Sequence, residues 1–209
     1  MESTEANPHS RIMLRPIASP LPMGFLGLSF GTFLFAAFQL GWLPEPEEDR
    51  VALAVLLLTV PLELLASVFG FLCRDPGAAV VMAVLAGSWA LVGTFKALSP
   101  PGTYSEVLGV ALLAVAVLLL VTSAAEIGKP LVGAVVVLAA VRFAVTGITE
   151  LTASSGWQTA AGLTGLLLAV LAAYAALAFL LENAQNRPVL PVLRGKPVGE
   201  EEPGVRPRL

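Results

Sequence analysis

Residues Pro130–Thr152, PLVGAVVVLAAVRFAVTGITELT, decide how the chain is read. The run is long enough to cross a bilayer, for which about 20 apolar residues suffice. It nonetheless carries Arg142 near its middle, and Thr146, Thr149 and Glu150 follow. Spacings of four, seven and eight residues from Arg142 put these side chains on one broad helix flank. A charge at mid-membrane costs roughly 2.5–3.5 kcal/mol on insertion scales, so such a residue has a partner or a task.

The composition agrees with a spanning segment. Of 209 residues, 56% are hydrophobic and 13% charged, and the mean hydropathy is +0.84. That balance selects an integral membrane protein over a soluble domain. The net charge of -3 is uninformative, because the charges sit at the ends and in the loops. One cysteine, Cys73, excludes an internal disulfide. The one histidine, His9, lies in the N-terminal tail. Without a His or Cys cluster, no metal site is expected. No stretch offers a nucleophile–base pair or a glycine-rich phosphate cradle, so neither catalysis nor a cofactor is expected. The C-terminal Arg and Lys residues read as orientation determinants, not as a nucleic-acid site. The first 22 residues are polar and proline-punctuated, and the apolar run after them is too long for a signal-peptide core.

The hydropathy pattern predicts six helices, at about 22–43, 51–73, 76–98, 105–125, 130–152 and 157–182. They form a transmembrane domain, 22–182, between an N-terminal tail, 1–21, and a C-terminal tail, 183–209. Pro61 is expected to kink the second helix, and the segment 44–50, PEPEEDR, reads as an acidic exposed loop. Open sheets cannot span lipid, so the class is all-α. Orientation follows from Lys and Arg. With the N-terminus inside, Arg11, Arg15, Arg74, Lys129, Arg187, Arg194, Lys196, Arg206 and Arg208 lie inside, against Arg50 and Lys96 outside. That excess predicts both termini in the cytoplasm.

A shift of 54 residues superimposes Pro22, Pro76 and Pro130. It also superimposes Phe35, Trp89 and Phe143, each followed by Ala, and sets Gly93 on Gly147 and Lys96 on Glu150. The chain then divides into three tandem helical hairpins around a pseudo-threefold pathway. Leu28, Met82 and Val136 make one layer facing that axis, and Phe35, Trp89 and Phe143 a second. Gln39, Gly93 and Gly147 make a third. Apolar layers of this kind gate or filter a pore. The same layers also serve ordinary helix packing, and small residues such as Gly93 and Gly147 suit both roles.

Arg142 either attracts a carboxylate or forms a buried ion pair. Glu63, midway along the second helix, is the expected partner, since intramembrane charges usually pair. Arg142 is turned about 120° from the Val136 position, Thr146 about 80° and Glu150 about 40°. Arg142 is therefore expected between helices, and Glu150 nearer the lumen. Lys96 and Glu150, with Thr146 and Gln39, are candidates to bind substrate near one mouth. Alternatively Lys96 and Glu150 snorkel to the interface, and Gln39 bonds a neighbouring helix. Trp42, Tyr104 and Trp157 read as interfacial anchors.

The run Ser19-Pro20-Leu21-Pro22-Met23-Gly24-Phe25 resembles the signature Asn-Pro-Ala-Pro-Leu-Gly-Leu of the acetate uptake transporter family. Pro20, Pro22 and Gly24 match, whereas Ser19, Met23 and Phe25 depart. Gly162, Gly165, Tyr174, Arg187 and Leu190-Pro191 fall at the spacing of that family's last helix and closing Leu-Pro. The resemblance implies a six-helix channel or proton-linked carrier for small monocarboxylates and dicarboxylates, assembled as a homohexamer. It implies a ring of bulky side chains pinching the pathway, with Leu28 at the position of a phenylalanine. In Leu85-Ala86-Gly87-Ser88-Trp89, Ala86 stands where the family has Tyr, and Glu150 stands where it has Asn.

The expected protein is thus a multi-pass protein of the bacterial inner membrane that moves acetate or a related small organic acid. A channel for small neutral solutes such as urea or ammonia is the second reading, and a non-transporting membrane scaffold the third.

Overall fold

The computed structural model describes residues 18–126, 128–185 and 189–192. Most of the two tails lies outside the described residues, including His9, Arg11, Arg15, Arg187, Arg194, Lys196, Arg206 and Arg208. Six helices are long and apolar enough to cross a bilayer: α1 Leu21–Gln39, α2 Glu45–Leu72, α3 Pro76–Leu98, α4 Glu106–Glu126, α5 Pro130–Thr152 and α6 Ser155–Gln185. No strand occurs among the described residues.

Local chemistry sets the ends. Pro76 and Pro130 open α3 and α5, where a missing N–H costs nothing. Asp75 caps α3 by accepting the Ala78 N–H, and Ser105 caps α4 by accepting that of Leu108. α1 stops at Gln39 and not at 43, because Gly41 takes a φ of +74°. The Gly41 and Trp42 N–H groups then return to the Phe38 and Ala37 carbonyls, a glycine-terminated cap. α2 begins at Glu45, so the segment 44–50 is largely helical, not a loop. Its acidic residues favour a helix N-terminus, and one of them, Glu48, is buried.

α2 is not uniform. A 3-10 turn, Glu45–Glu47, leads into α-helix Glu48–Ala54, a π turn Val55–Thr59 and α-helix Val60–Leu72. Pro61 was expected to disturb this helix, and the π turn lies directly before it. Proline offers no N–H to the carbonyl four residues back, and a wider turn accommodates the break.

The odd-numbered helices form the inner part of the bundle. In α1, α3 and α5, 67, 56 and 56% of the spanning segment is buried, against 39, 28 and 44% in α2, α4 and α6. Large apolar side chains such as Leu57 and Phe71 on α2, Val107 and Val121 on α4, and Leu167 and Val170 on α6 face outward. The backbones of α1, α3 and α5 scarcely approach one another, so side chains fill the space between them.

The most extensive packing joins α2 to α3, α4 to α5, and α6 to α1. The closest units therefore run across the expected hairpins, with α6 closing the ring on α1. Each joint is built on glycine. A Cβ at Gly93 would stand 2.6 Å from Leu56 Cγ, and one at Gly162 2.6 Å from Leu40 Cγ. At the α4–α5 joint, Gly109 and Gly147 meet backbone to backbone, with a Cβ on Gly147 only 2.8 Å from the Gly109 carbonyl. Repeat-equivalent positions also touch each other: Gly102 with Glu48, Tyr104 with Gln158 and Lys129 with Asp75 are each 54 residues apart.

Candidate functional site

The two apolar layers lie in the core. Leu28, Met82 and Val136 are fully buried, and so, within a few per cent, are Phe35, Trp89 and Phe143. The Trp89 ring meets Phe35 at a centroid distance of 5.8 Å and Phe143 at 5.6 Å, tilted or edge-on in both contacts. Side chains from α1, α3 and α5 thus close the space between the three helices.

Above this aromatic layer is a cavity of about 230 Å³. Phe35 and Phe38 form part of its floor, and Gln39, Glu45, Glu48, Lys96, Thr149, Glu150 and Gln158 give it polar walls. Lys96, near the end of α3, organises the charges. Its Nζ lies 3.1 Å from Glu48 Oε1 on α2 and 2.8 Å from Glu150 Oε1 on α5. It also donates to the Thr103 carbonyl at 2.9 Å and sits 5.6 Å from the Tyr104 ring centre. The second oxygens of the two carboxylates accept the Gly102 and Ser105 N–H groups, at 2.7 and 3.0 Å. All three charged residues are buried. Lys96 and Glu150 therefore do not snorkel to the interface; they are brought together as a satisfied network. Glu48 is the member that sequence reasoning missed. Its signal was present in the Pro44-Glu45 helix start, which places Glu48 one turn into a helix.

Arg142 does not pair with Glu63. One guanidinium nitrogen donates to Gln39 Oε1 on α1 at 2.5 Å, and the other to the Thr146 hydroxyl on its own helix. A Cβ on Gly165 would lie 2.8 Å from Arg142 Nε, so that glycine of α6 makes room for the side chain. Arg142 thus lies between helices, as its angular position required, but against α1 and α6. Helix spacing gives a residue's depth and azimuth, not which neighbour stands opposite; that depends on the α6–α1 closure. Gln39 and Thr146, expected at a substrate site, are both engaged by this arginine. Glu63 is fully buried, with no hydrogen-bond partner on either oxygen.

The possible anchors Trp42, Tyr104 and Trp157 are all exposed, and Tyr104 donates to Gln158. At the far end of the bundle, Lys129 pairs with Asp75, tying the starts of α5 and α3. Tyr174 donates to the Pro191 carbonyl at 2.8 Å, folding the Leu190-Pro191 segment back on α6. No group of three or more His, Cys, Asp or Glu among the described residues has metal-holding geometry.

Among solved structures, the chain is similar to the bacterial acetate channel SatP, with a TM-score of 0.73. The two are 20% identical over 84% of this chain and 99% of that one. At that identity the likeness establishes a shared fold. No curated protein sequence matches. A family model described as the GPR1/FUN34/yaaH family matches residues 3–194. The chain, an all-helical membrane protein, belongs to that family, in agreement with its resemblance to the acetate uptake transporters.

Proposed function

We propose that the protein is a membrane transporter or channel for acetate or a related small organic acid, and not an enzyme. The observation that carries this reading is the Phe35–Trp89–Phe143 closure between three helices, beneath a polar cavity. In this reading the cavity is a mouth, with Gln39, Lys96 and Glu150 shaping the approach of the solute and Thr146 holding Arg142 behind Gln39. The aromatic layer and the Leu28–Met82–Val136 layer are successive constrictions that exclude large or hydrated ions. Membership of the family and the fold shared with an acetate channel support the substrate class. The pathway follows a pseudo-threefold axis, in a homo-oligomer of the bacterial inner membrane with both termini cytoplasmic.

One observation favours a second reading, a channel for small neutral solutes. Among the described residues the two buried cations, Lys96 and Arg142, bond mainly to internal partners, and only the Arg142 Nε–H lacks one.

Flux of labelled acetate and labelled urea into proteoliposomes tests both readings. Acetate uptake above protein-free vesicles is the expected result. Urea flux alone would move the protein to the second class, and flux of neither would sink transport. Trp89→Ala opens the aromatic layer and is expected to raise flux about tenfold, equivalent to ~1.4 kcal/mol off the barrier. Unchanged flux in that variant would show that the rings do not lie on the route.

A further inference from the structure

The cavity above the aromatic layer is lined by several side chains able to donate a hydrogen bond, and most are spent within the protein. Lys96 has three N–H bonds and directs them at Glu48, Glu150 and the Thr103 carbonyl. The hydroxyls of Thr103 and Thr149 donate to the Pro100 and Val145 carbonyls, and that of Tyr104 to Gln158. The carboxylates of Glu45, Glu48 and Glu150 only accept. What remains is the amide nitrogen of Gln39 and that of Gln158. Among the described residues each amide is bonded through its oxygen alone, and both side chains are partly exposed in the cavity wall.

The two amides are held differently. A guanidinium donates and never accepts, so Arg142, at 2.5 Å, obliges Gln39 to present its oxygen. The Gln39 nitrogen is thereby turned away from the arginine. Gln39 lines the cavity and Arg142 does not. Arg142 is itself fixed. Thr146 accepts from its other terminal nitrogen and donates back to the Arg142 carbonyl at 2.8 Å, while Gly165 of α6 leaves space for the side chain. Gln158 has only the exposed Tyr104 hydroxyl, at 3.3 Å. A hydroxyl donates or accepts, so either end of that amide satisfies it. Position and charge also favour Gln39. It ends α1 one turn beyond Phe35 of the aromatic layer, and both residues line the cavity. The Lys96 group, two carboxylates to one ammonium, leaves its side of the mouth negative. Arg142 bonds to neutral partners only, so the positive charge stands behind Gln39.

We propose that Arg142 is a positioning residue. It fixes the Gln39 carboxamide with its nitrogen toward the cavity, and that N–H takes an oxygen of the solute's carboxyl group just before the aromatic closure. The inference deepens the transport reading above and rests on it. Arg142 does not touch the solute; it acts through the amide, whose N–H bonds it polarises. The mouth therefore selects solutes that offer an acceptor oxygen. A carboxylate and a carboxylic acid both do, and a small amine without such an oxygen gains nothing at Gln39.

The test reads half-saturation apart from maximum rate. Initial uptake of labelled acetate into proteoliposomes is measured over a range of acetate concentrations. Gln39→Met removes the donor and adds no charge. Gln39→Glu removes the donor and keeps an oxygen for Arg142. Each is expected to raise the half-saturation concentration about tenfold, the value of one lost hydrogen bond, and Gln39→Glu should keep the unfolding midpoint. Arg142→Gln is expected to raise half-saturation about threefold, because the loosened amide turns either end to the cavity and loses the cation behind it. In the double variant Gln39→Met, Arg142→Gln, the arginine has no amide to position, so half-saturation should match that of Gln39→Met alone. A further rise in the double variant shows direct contact of Arg142 with the solute and overturns the positioning role. Unchanged half-saturation in folded Gln39→Met, or in folded Arg142→Gln, overturns the inference and leaves the transport reading intact. Should Gln39→Met fail to fold, Gln39→Glu decides: a rise that persists in high salt supports the lost donor. A rise that high salt abolishes is repulsion by the added charge and overturns the inference. Should Arg142→Gln fail to fold, Thr146→Val, which frees one guanidinium nitrogen, takes its place with the same direction expected. No acetate uptake by wild type overturns the transport reading, and this inference with it.

Discussion

Arg142 was conspicuous from the sequence because it interrupts an apolar run. What the spacing conveyed was its depth in the membrane and its turn away from the axis. Both hold. Its partner was not legible, because Glu63 and Gln39 lie at helix positions equally able, in one dimension, to meet it. The closure of α6 on α1 decides in favour of Gln39, and Gly165 leaves room for no larger side chain there. A double-mutant cycle between Arg142→Gln and Gln39→Ala is therefore expected to give a coupling of about 0.5–3 kcal/mol in detergent unfolding. The same cycle between Arg142→Gln and Glu63→Gln should give additive effects, within about 0.5 kcal/mol. Coupling in the second pair and none in the first would restore the ion pair and require a different arrangement of α2.

At the scale of elements, the 54-residue repeat was readable because proline and aromatic side chains mark equivalent depths. Pro22, Pro76 and Pro130 fall in the first turns of α1, α3 and α5, and the aromatic triple meets in space. Which helices pack most closely was not readable. Short connections join each helix to the next, so chain order alone does not rank α1–α2 above α2–α3. The ranking comes from side-chain volume at the joints, where Gly93, Gly147 and Gly162 remove it. The early start of α2 was hidden for another reason: proline and acidic residues mark loops and helix N-termini alike. If the glycine joints set the packing, Gly162→Leu must overfill the α6–α1 contact and destabilise by about 1–3 kcal/mol. Gly87 has the same helical setting on α3 but nothing within 4 Å of its Cβ direction. Gly87→Leu should therefore change the unfolding midpoint little, and equal losses in the two variants would remove the joints from the account.

Across the whole molecule, the charges around Lys96 join α5 to the closely packed pair α2 and α3. α2 contributes Glu48, α3 the lysine and α5 Glu150, while the segment between α3 and α4 supplies the Gly102 and Ser105 N–H groups and the Thr103 carbonyl. Two carboxylates around one ammonium make the lysine indispensable to both. Lys96→Met leaves two buried carboxylates without a cation, and breaking such a network costs about 3–5 kcal/mol. Being buried, the network is also screened little by salt, so the loss should be similar at low and high ionic strength. A lysine kept only to bind substrate would behave differently. Its replacement would weaken acetate uptake and leave the unfolding midpoint in place. The triple variant Lys96→Met, Glu48→Gln, Glu150→Gln separates the two roles, because removing all three charges together removes the uncompensated ones. Recovery of most of the lost stability by the triple variant identifies Lys96 as the clamp that holds the mouth in shape. Stability unchanged in Lys96→Met, with uptake lost in both variants, assigns the lysine to the solute instead.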